Sequence, residues 1–94
     1  MRVKWLRQAL LNLDDEASSI AVDDAAAARL VVNRALDALA RLVEPPGLGR
    51  PGRVPGTRER VVQSTRFVVP YRVRGELIEI LRVFHASRQL PERW

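Results

Sequence analysis

The sequence contains no cysteine and only one histidine, which argues against a disulfide framework and against thiolate or structural zinc sites. Aromatic residues make up only 5% of the chain, too few to favour a surface dedicated to stacking single-stranded bases. No apolar run approaches the length of a transmembrane helix, and the charged N-terminus is unlike a secretory signal. These absences predict a cytoplasmic protein that binds no metal, cofactor or membrane.

Length and composition predict one domain over residues 1–94. A chain of 94 residues is too short for two domains, and 47% hydrophobic residues can supply a core. Such a domain is only marginally stable, so a bound partner could contribute much of its working stability.

Positive charge is concentrated in the second half of the chain. Residues 1–47 carry a net charge of −1 and residues 48–94 a net charge of +6, in agreement with the total of +5. Every basic residue in the second half is an arginine, whose forked guanidinium binds carboxylates and phosphates in a bidentate manner. The arrangement favours an acidic partner. A GC-rich genome would explain the choice of arginine over lysine, but not the placement.

Two helices are predicted after a short first strand at residues 1–5. The first, over about residues 6–22, has an apolar stripe at helical spacing that comprises Leu6, Leu10, Leu13, Ala17 and Ile20. Asp23 is the expected N-cap of the second helix, which extends to about Val43, and Asp24 complements its positive end. Because the break is short, we expect an antiparallel helical hairpin.

A loop rich in proline and glycine, residues 44–57, is predicted to cross from the second helix to a set of strands. Alternating apolar residues predict strands over 58–62, 67–73 and 77–84, with the last in the centre of the sheet, and residues 85–94 as a tail. Arg74-Gly75 is the expected hairpin turn, and Pro70 is expected at an edge or a bulge.

The predicted fold is therefore α+β, with the order β-α-α-β-β-β and the helical hairpin packed on a mostly antiparallel sheet. We expect six residues to be mostly buried: Leu10, Leu13, Leu36, Leu39, Val69 and Ile80.

Two motifs that could indicate catalysis are weak. The glycine-rich loop lacks the Lys-Ser/Thr of a phosphate-binding loop and precedes a strand, so a structural crossover is the favoured interpretation. Histidine is the residue type whose unperturbed pKa lies near neutrality, so His85 could act as an acid or base, but a strand-end or partner contact is the favoured interpretation.

Arginines on neighbouring predicted strands form the best candidate binding surface. Arg58 and Arg60 have even spacing, as do Arg66 and Arg72, so each pair should point to one side of its strand. With Arg82, they would form a cationic surface wherever their side chains share a face. Since two helices cover only one face of a sheet, the other face is predicted to be open or covered by a partner.

Several segments together resemble the RelE/ParE superfamily of toxins. They are the loop from Pro46 to Glu59, the segment Tyr71-Arg72-Val73, and the strand Ile78–His85 followed by Arg88. The opening is similar as well, at Val3, Trp5, Ala9, Leu13, Asp14 and Ile20-Ala21. The resemblance spans nearly the whole chain, and the strand ending at His85 with Arg88 beyond it is most like ParE.

The resemblance implies the toxin of a type II toxin–antitoxin system that is neutralised by a cognate antitoxin protein. A ParE-like toxin would poison DNA gyrase by binding and would not be an enzyme. The residues expected to bind the target or the antitoxin are Arg58, Arg60, Arg66, Arg72, Arg82, His85 and Arg88.

Two alternatives remain open. A RelE-like toxin would be a ribosome-dependent mRNA endoribonuclease, the one case that involves direct nucleic-acid binding. His85 or Glu59 would then handle the proton, and Arg82 would stabilise charge in the transition state. The other alternative is a degenerate toxin that only binds its antitoxin.

Overall fold

The computed structural model describes residues 1–43 and 49–86, and its elements follow the predicted order with two short strands added. The N-terminal part contains strand β1 (Arg2–Trp5) and helices α1 (Arg7–Ala21) and α2 (Ala25–Ala40), with a 3-10 turn at Arg41–Val43. The strands that follow are β2 (Arg50–Pro51), β3 (Arg58–Val61), β4 (Phe67–Arg74), β5 (Leu77–Ile80) and β6 (Phe84–His85). The predicted crossover loop thus contains the two-residue strand β2, and β6 occupies the start of the predicted tail.

The sheet has the order β1-β5-β4-β3-β2, with β6 also paired to β4. Only β1 and β5 are parallel, and Val3 lies opposite Ile78. The other pairs are antiparallel, so the prediction of an α+β fold with a mostly antiparallel sheet is confirmed. β5 lies between β1 and β4, as its apolar sequence predicted.

The break between the helices is short and hydrogen-bonded. The backbone N–H groups of Asp23 and Asp24 both donate to the carbonyl of Ile20. Asp24, rather than the predicted Asp23, is the N-cap, and its Oδ1 accepts a 3.0 Å bond from the backbone N–H of Ala27. The predicted N-cap is wrong by one residue because the backbone N–H of Asp23 still bonds to the last turn of α1.

The core lies between the helical hairpin and one face of the sheet. Leu13, Leu39, Val69 and Ile80 are buried, as predicted. The prediction is wrong for Leu10 and Leu36, which are 50% and 42% exposed. The small, fully buried residues Ala9 and Ala35 occupy the innermost positions of their helices instead, and the adjacent leucines point outward.

The predicted continuous strand 77–84 is interrupted after Ile80. Tyr71 pairs with Ile80 and Val68 pairs with Phe84, so the three residues 81–83 lie opposite only Val69 and Pro70. This extra residue forms a bulge. Pro70 lies opposite it and needs no ladder donor there, which confirms the expectation for that proline.

The hairpin turn lies one residue later than predicted. Arg74 pairs with Leu77, so the two turn residues are Gly75 and Glu76. Gly75 has φ of +58°, a conformation that favours glycine in a two-residue hairpin turn.

Candidate functional site

The strand arginines are divided between the two faces of the sheet. Arg58 lies opposite Tyr71 and Arg60 opposite Val69, and both partners belong to the core, so these arginines are on the helix-packed face. Arg72 lies opposite Glu79 on the other face. Arg58 and Arg60 do share one side of their strand, but a single cationic face that also includes Arg72 does not form.

His85 and Arg66 line a common cavity between the helices and the end of the sheet. The cavity has a volume of about 310 Å³, and its other lining residues are Glu16, Ser19, Ile20, Val31, Thr65 and Phe67. The His85 ring packs edge-on against Phe67, with 6.2 Å between centroids.

Arg82 donates from Nη1 to the carbonyl of Leu81 at 2.7 Å. Arg88 lies outside the described residues.

Glu59 is the centre of a charged cluster that sequence reasoning did not anticipate. Its carboxylate is almost fully buried and receives bonds from the backbone N–H (3.0 Å) and Nε (3.1 Å) of Arg53. The other oxygen is 3.4 Å from Nη2 of Arg50 and 3.4 Å from Nη2 of Arg53. Both carboxylate oxygens are therefore occupied in fixing the loop between β2 and β3.

A second contact attaches the residue just before β2 to the core. The backbone N–H of Gly49 donates a 2.9 Å bond to the buried hydroxyl of Tyr71. Nη1 of Arg58 donates to the Gly49 carbonyl at 3.0 Å. The chain entering β2 is thus held by the side chains of Tyr71 and Arg58.

Glu79 pairs with two arginines on the face of the sheet that is turned away from the helices. Nε of Arg72 donates to its Oε1 at 2.6 Å, and Nη1 of Arg74 lies 3.5 Å from the same oxygen. The bond from Arg72 is the main cause that holds the pKa of Glu79 below its ordinary value, and the charges of both arginines add to it.

The pKa of Glu59 is also lowered. Burial acts to raise it, but the bonds from Arg53, together with the charges of Arg53 and Arg50, outweigh burial. A carboxylate that is bound at both oxygens and has a lowered pKa is a poor proton acceptor, which argues against the acid/base role suggested by the sequence.

We expect ionised Glu59 to stabilise the fold, so that the free energy of unfolding falls when this carboxylate is protonated in acid. Since its folded pKa is depressed, the stabilisation is complete above its ordinary value of 4.5 and is lost as pH falls through the folded pKa. Urea titrations at a series of pH values should show this loss. Glu59→Gln should flatten the acid limb, which is the fall in the free energy of unfolding as the pH becomes acidic. Glu76→Gln, at a side chain that is 89% exposed, is the matched control and should leave the curve unchanged. An unchanged acid limb in Glu59→Gln would contradict the assignment.

Two classes of site are absent from the described part of the chain. Within residues 1–43 and 49–86, no three histidine, cysteine or acidic side chains are grouped so that they could hold a metal ion. In the same ranges, neither helix has the length and apolar character needed to cross a membrane.

Comparison with known proteins assigns the chain to a protein family. Residues 3–90 match the family model described as the ParE toxin of the type II toxin-antitoxin system, parDE. The chain belongs to this family of toxins.

Individual relatives agree with that assignment. The chain is 42% identical over 91 residues to a Sinorhizobium fredii (strain NBRC 101917 / NGR234) protein named "Putative toxin Y4kP", covering 97% of this chain and 94% of the relative. A solved structure described as a chromosomal ParDE TA system from P. aeruginosa matches with a TM-score of 0.85 and 32% identity. That match covers 93% of this chain and 97% of the other.

Proposed function

We propose that this ParE-family toxin acts in the cytoplasm by binding DNA gyrase, without catalysing a reaction, and that a cognate antitoxin protein neutralises it. The observation that carries the proposal against catalysis is the double occupancy of Glu59 by Arg50 and Arg53. Cleavage of a phosphodiester needs proton handling as well as positive charge, and the arginines provide only the second. A toxin that blocks its target by binding needs no such pair of groups.

The antitoxin is proposed as a protein that covers both apolar and cationic surface. The solved relative is itself described as a ParDE toxin–antitoxin system, which supports a partner of this kind. Leu10, Leu11, Leu30 and Leu36 are all large exposed apolar side chains on the helical hairpin. Their burial by a partner would contribute free energy, and the excess of arginine in the second half favours an acidic one.

A ribosome-dependent mRNA endoribonuclease remains the second candidate, because His85 and Arg66 line one cavity together with Glu16. This arrangement brings an imidazole, a guanidinium and a carboxylate to the same recess. A toxin that only binds its antitoxin is the third possibility.

The deciding experiment measures both activities with the same purified toxin. We expect inhibition of gyrase supercoiling with trapped cleaved DNA, no codon-dependent cuts in mRNA on translating ribosomes, and full relief by the neighbouring gene product. His85→Ala should weaken inhibition modestly, whereas loss of a true general acid or base would reduce the rate about 10²–10⁴-fold. Arg82→Glu should weaken gyrase inhibition more, about tenfold, because it turns attraction for an acidic surface into repulsion.

Each of the other results identifies a different candidate. Ribosome-dependent cuts that vanish in His85→Ala, with gyrase unaffected, would establish the endoribonuclease. Inactivity in both assays, with binding of the neighbouring gene product intact, would establish the toxin that only binds its antitoxin.

A further inference from the structure

A second recess lies on the helix-packed side, between α2 and the turn that joins β3 to β4. It has a volume of about 240 Å³. Its lining residues are Arg34, Asp37, Ala38, Arg41, Arg60, Gln63 and Ser64. Three guanidinium groups, from α2, the 3-10 turn that follows it and β3, therefore line one small space together with a single carboxylate.

Arg60 brings a buried donor to this recess without a partner. Its Nε is fully shielded from solvent and makes no hydrogen bond, and it is the only such buried side-chain nitrogen or oxygen within residues 1–43 and 49–86. Leaving a buried charged donor unpaired is costly, so the Arg60 side chain would be stabilised by moving to bond an acceptor bound in the recess.

The turn opposite α2 is held in an unusual conformation. Ser64 has φ of +64°, which makes it the one non-glycine residue with positive φ in the described part of the chain. Nη1 of Arg34 donates to the Ser64 carbonyl at 3.3 Å and ties the turn to the helix. Left-handed backbone at a non-glycine residue is costly, and it occurs in tight turns as well as at ligand sites.

The charges of the recess are not neutralised internally. No ion pair within the described ranges involves Arg41, Arg60 or Asp37. The three arginines and one aspartate leave a net charge of +2. This contrasts with Arg50, Arg53 and Arg72, each of which is already bound to a carboxylate of the same chain.

We propose that this recess, the α2–turn pocket, is a binding site for a carboxylate side chain, Asp or Glu, of a protein partner. Arg60 and Arg41 both line the recess, and each supplies a guanidinium group to it. The guanidinium fork matches the two oxygens of a carboxylate. Only the choice of a protein as the source of that carboxylate rests on the proposed function.

A carboxylate fits better than a phosphate for two reasons. Asp37 also lines the recess, and its negative charge opposes the dianion of a phosphomonoester more strongly than the monoanion of a carboxylate. The lining also contains no aromatic side chain on which a nucleic-acid base could stack beside its phosphate.

The test uses the full-length toxin and a blocked hexaglutamate peptide as the probe, with hexaglutamine as the uncharged control. Binding is measured by calorimetry, and the Arg Nε–Hε resonances are followed by NMR. We expect the Arg60 resonance to shift on addition of hexaglutamate, and Arg60→Gln and Arg41→Gln each to weaken binding about tenfold, the effect of losing a hydrogen bond to a charged group. Arg2→Gln removes the same charge from β1, at the other end of the sheet, and should change affinity less than about twofold.

Arg41→Gln keeps the test valid if Arg60→Gln fails to fold, because Arg41 is exposed. Equal losses in Arg2→Gln and Arg41→Gln would show non-specific attraction and overturn the pocket, as would an Arg60 resonance that does not move. A shift of that resonance with a dodecamer of thymidylate but not with hexaglutamate would overturn the carboxylate assignment in favour of nucleic acid. None of these results requires gyrase or antitoxin, so failure here is distinguishable from failure of the proposed function.

Discussion

Tyr71→Ala is expected to lower the free energy of unfolding by about 4 kcal/mol, the usual loss for a large aromatic residue in a core. The ring is fully buried and belongs to the main hydrophobic cluster. Its hydroxyl also accepts the backbone N–H of Gly49, so alanine would leave that buried donor unpaired. Urea denaturation at neutral pH, followed by circular dichroism, measures the change.

Tyr71→Phe separates the two contributions. It keeps the ring and removes only the hydroxyl, so the expected loss is about 1–2 kcal/mol. A loss in Tyr71→Phe as large as that in Tyr71→Ala would mean that the hydrogen bond, rather than packing, dominates. No loss in Tyr71→Phe would contradict the role assigned to the hydroxyl in holding the loop.

Gly49→Ala is expected to destabilise the protein by about 2–3 kcal/mol, at the upper end of the range for overpacking a core. A Cβ at this position would lie 2.7 Å from both Cε1 and the hydroxyl oxygen of Tyr71, and 2.8 Å from the carbonyl oxygen of Glu59. The ring cannot retreat because it is surrounded by the core, and the carbonyl belongs to β3. The loop must therefore move, which would also disturb the bonds of Arg53 to Glu59.

A double-mutant cycle with Tyr71→Leu checks this cause. If the clash with the ring is the main effect, Gly49→Ala should cost clearly less in the Tyr71→Leu background than in the wild type. Additive losses would instead locate the strain at the Glu59 carbonyl. A Gly49→Ala protein as stable as the wild type would contradict the close packing of loop and ring.

The elements could be predicted from the sequence because their signals are local. Helical spacing of leucines and the aspartates before Ala25 defined the hairpin, and alternation defined β3 and β4. Which part of a helical stripe faces the sheet is not local: Leu10 and Leu36 were misplaced because Ala9 and Ala35 allow the helices to approach the sheet closely. The bulge at residues 81–83 depends on the register with β4 and has no signal within its own segment.

The candidate site was harder to predict than the fold. The sequence indicated arginines as binding residues, but it could not tell that Arg72 is bound to Glu79 while Arg60 has a buried unpaired Nε. Glu59 is the plainest case: it was a candidate for proton handling in the endoribonuclease alternative, yet its carboxylate is bound by Arg50 and Arg53 across the loop. Pairing of this kind depends on how the loop folds back, and residue type alone does not specify it.

The parallel pairing of β1 with β5 has a consequence for the timing of folding. Within the described residues, β1 pairs only with β5, which is made more than 70 residues later, since Val3 pairs with Ile78. Contacts between such distant residues slow folding, and they cannot form while the ribosome is still making the second half. During synthesis the helical hairpin therefore emerges before the sheet that covers its apolar face. The toxin can complete its sheet only after β5 has left the ribosome, and this delay would give the proposed antitoxin time to meet the chain as it folds.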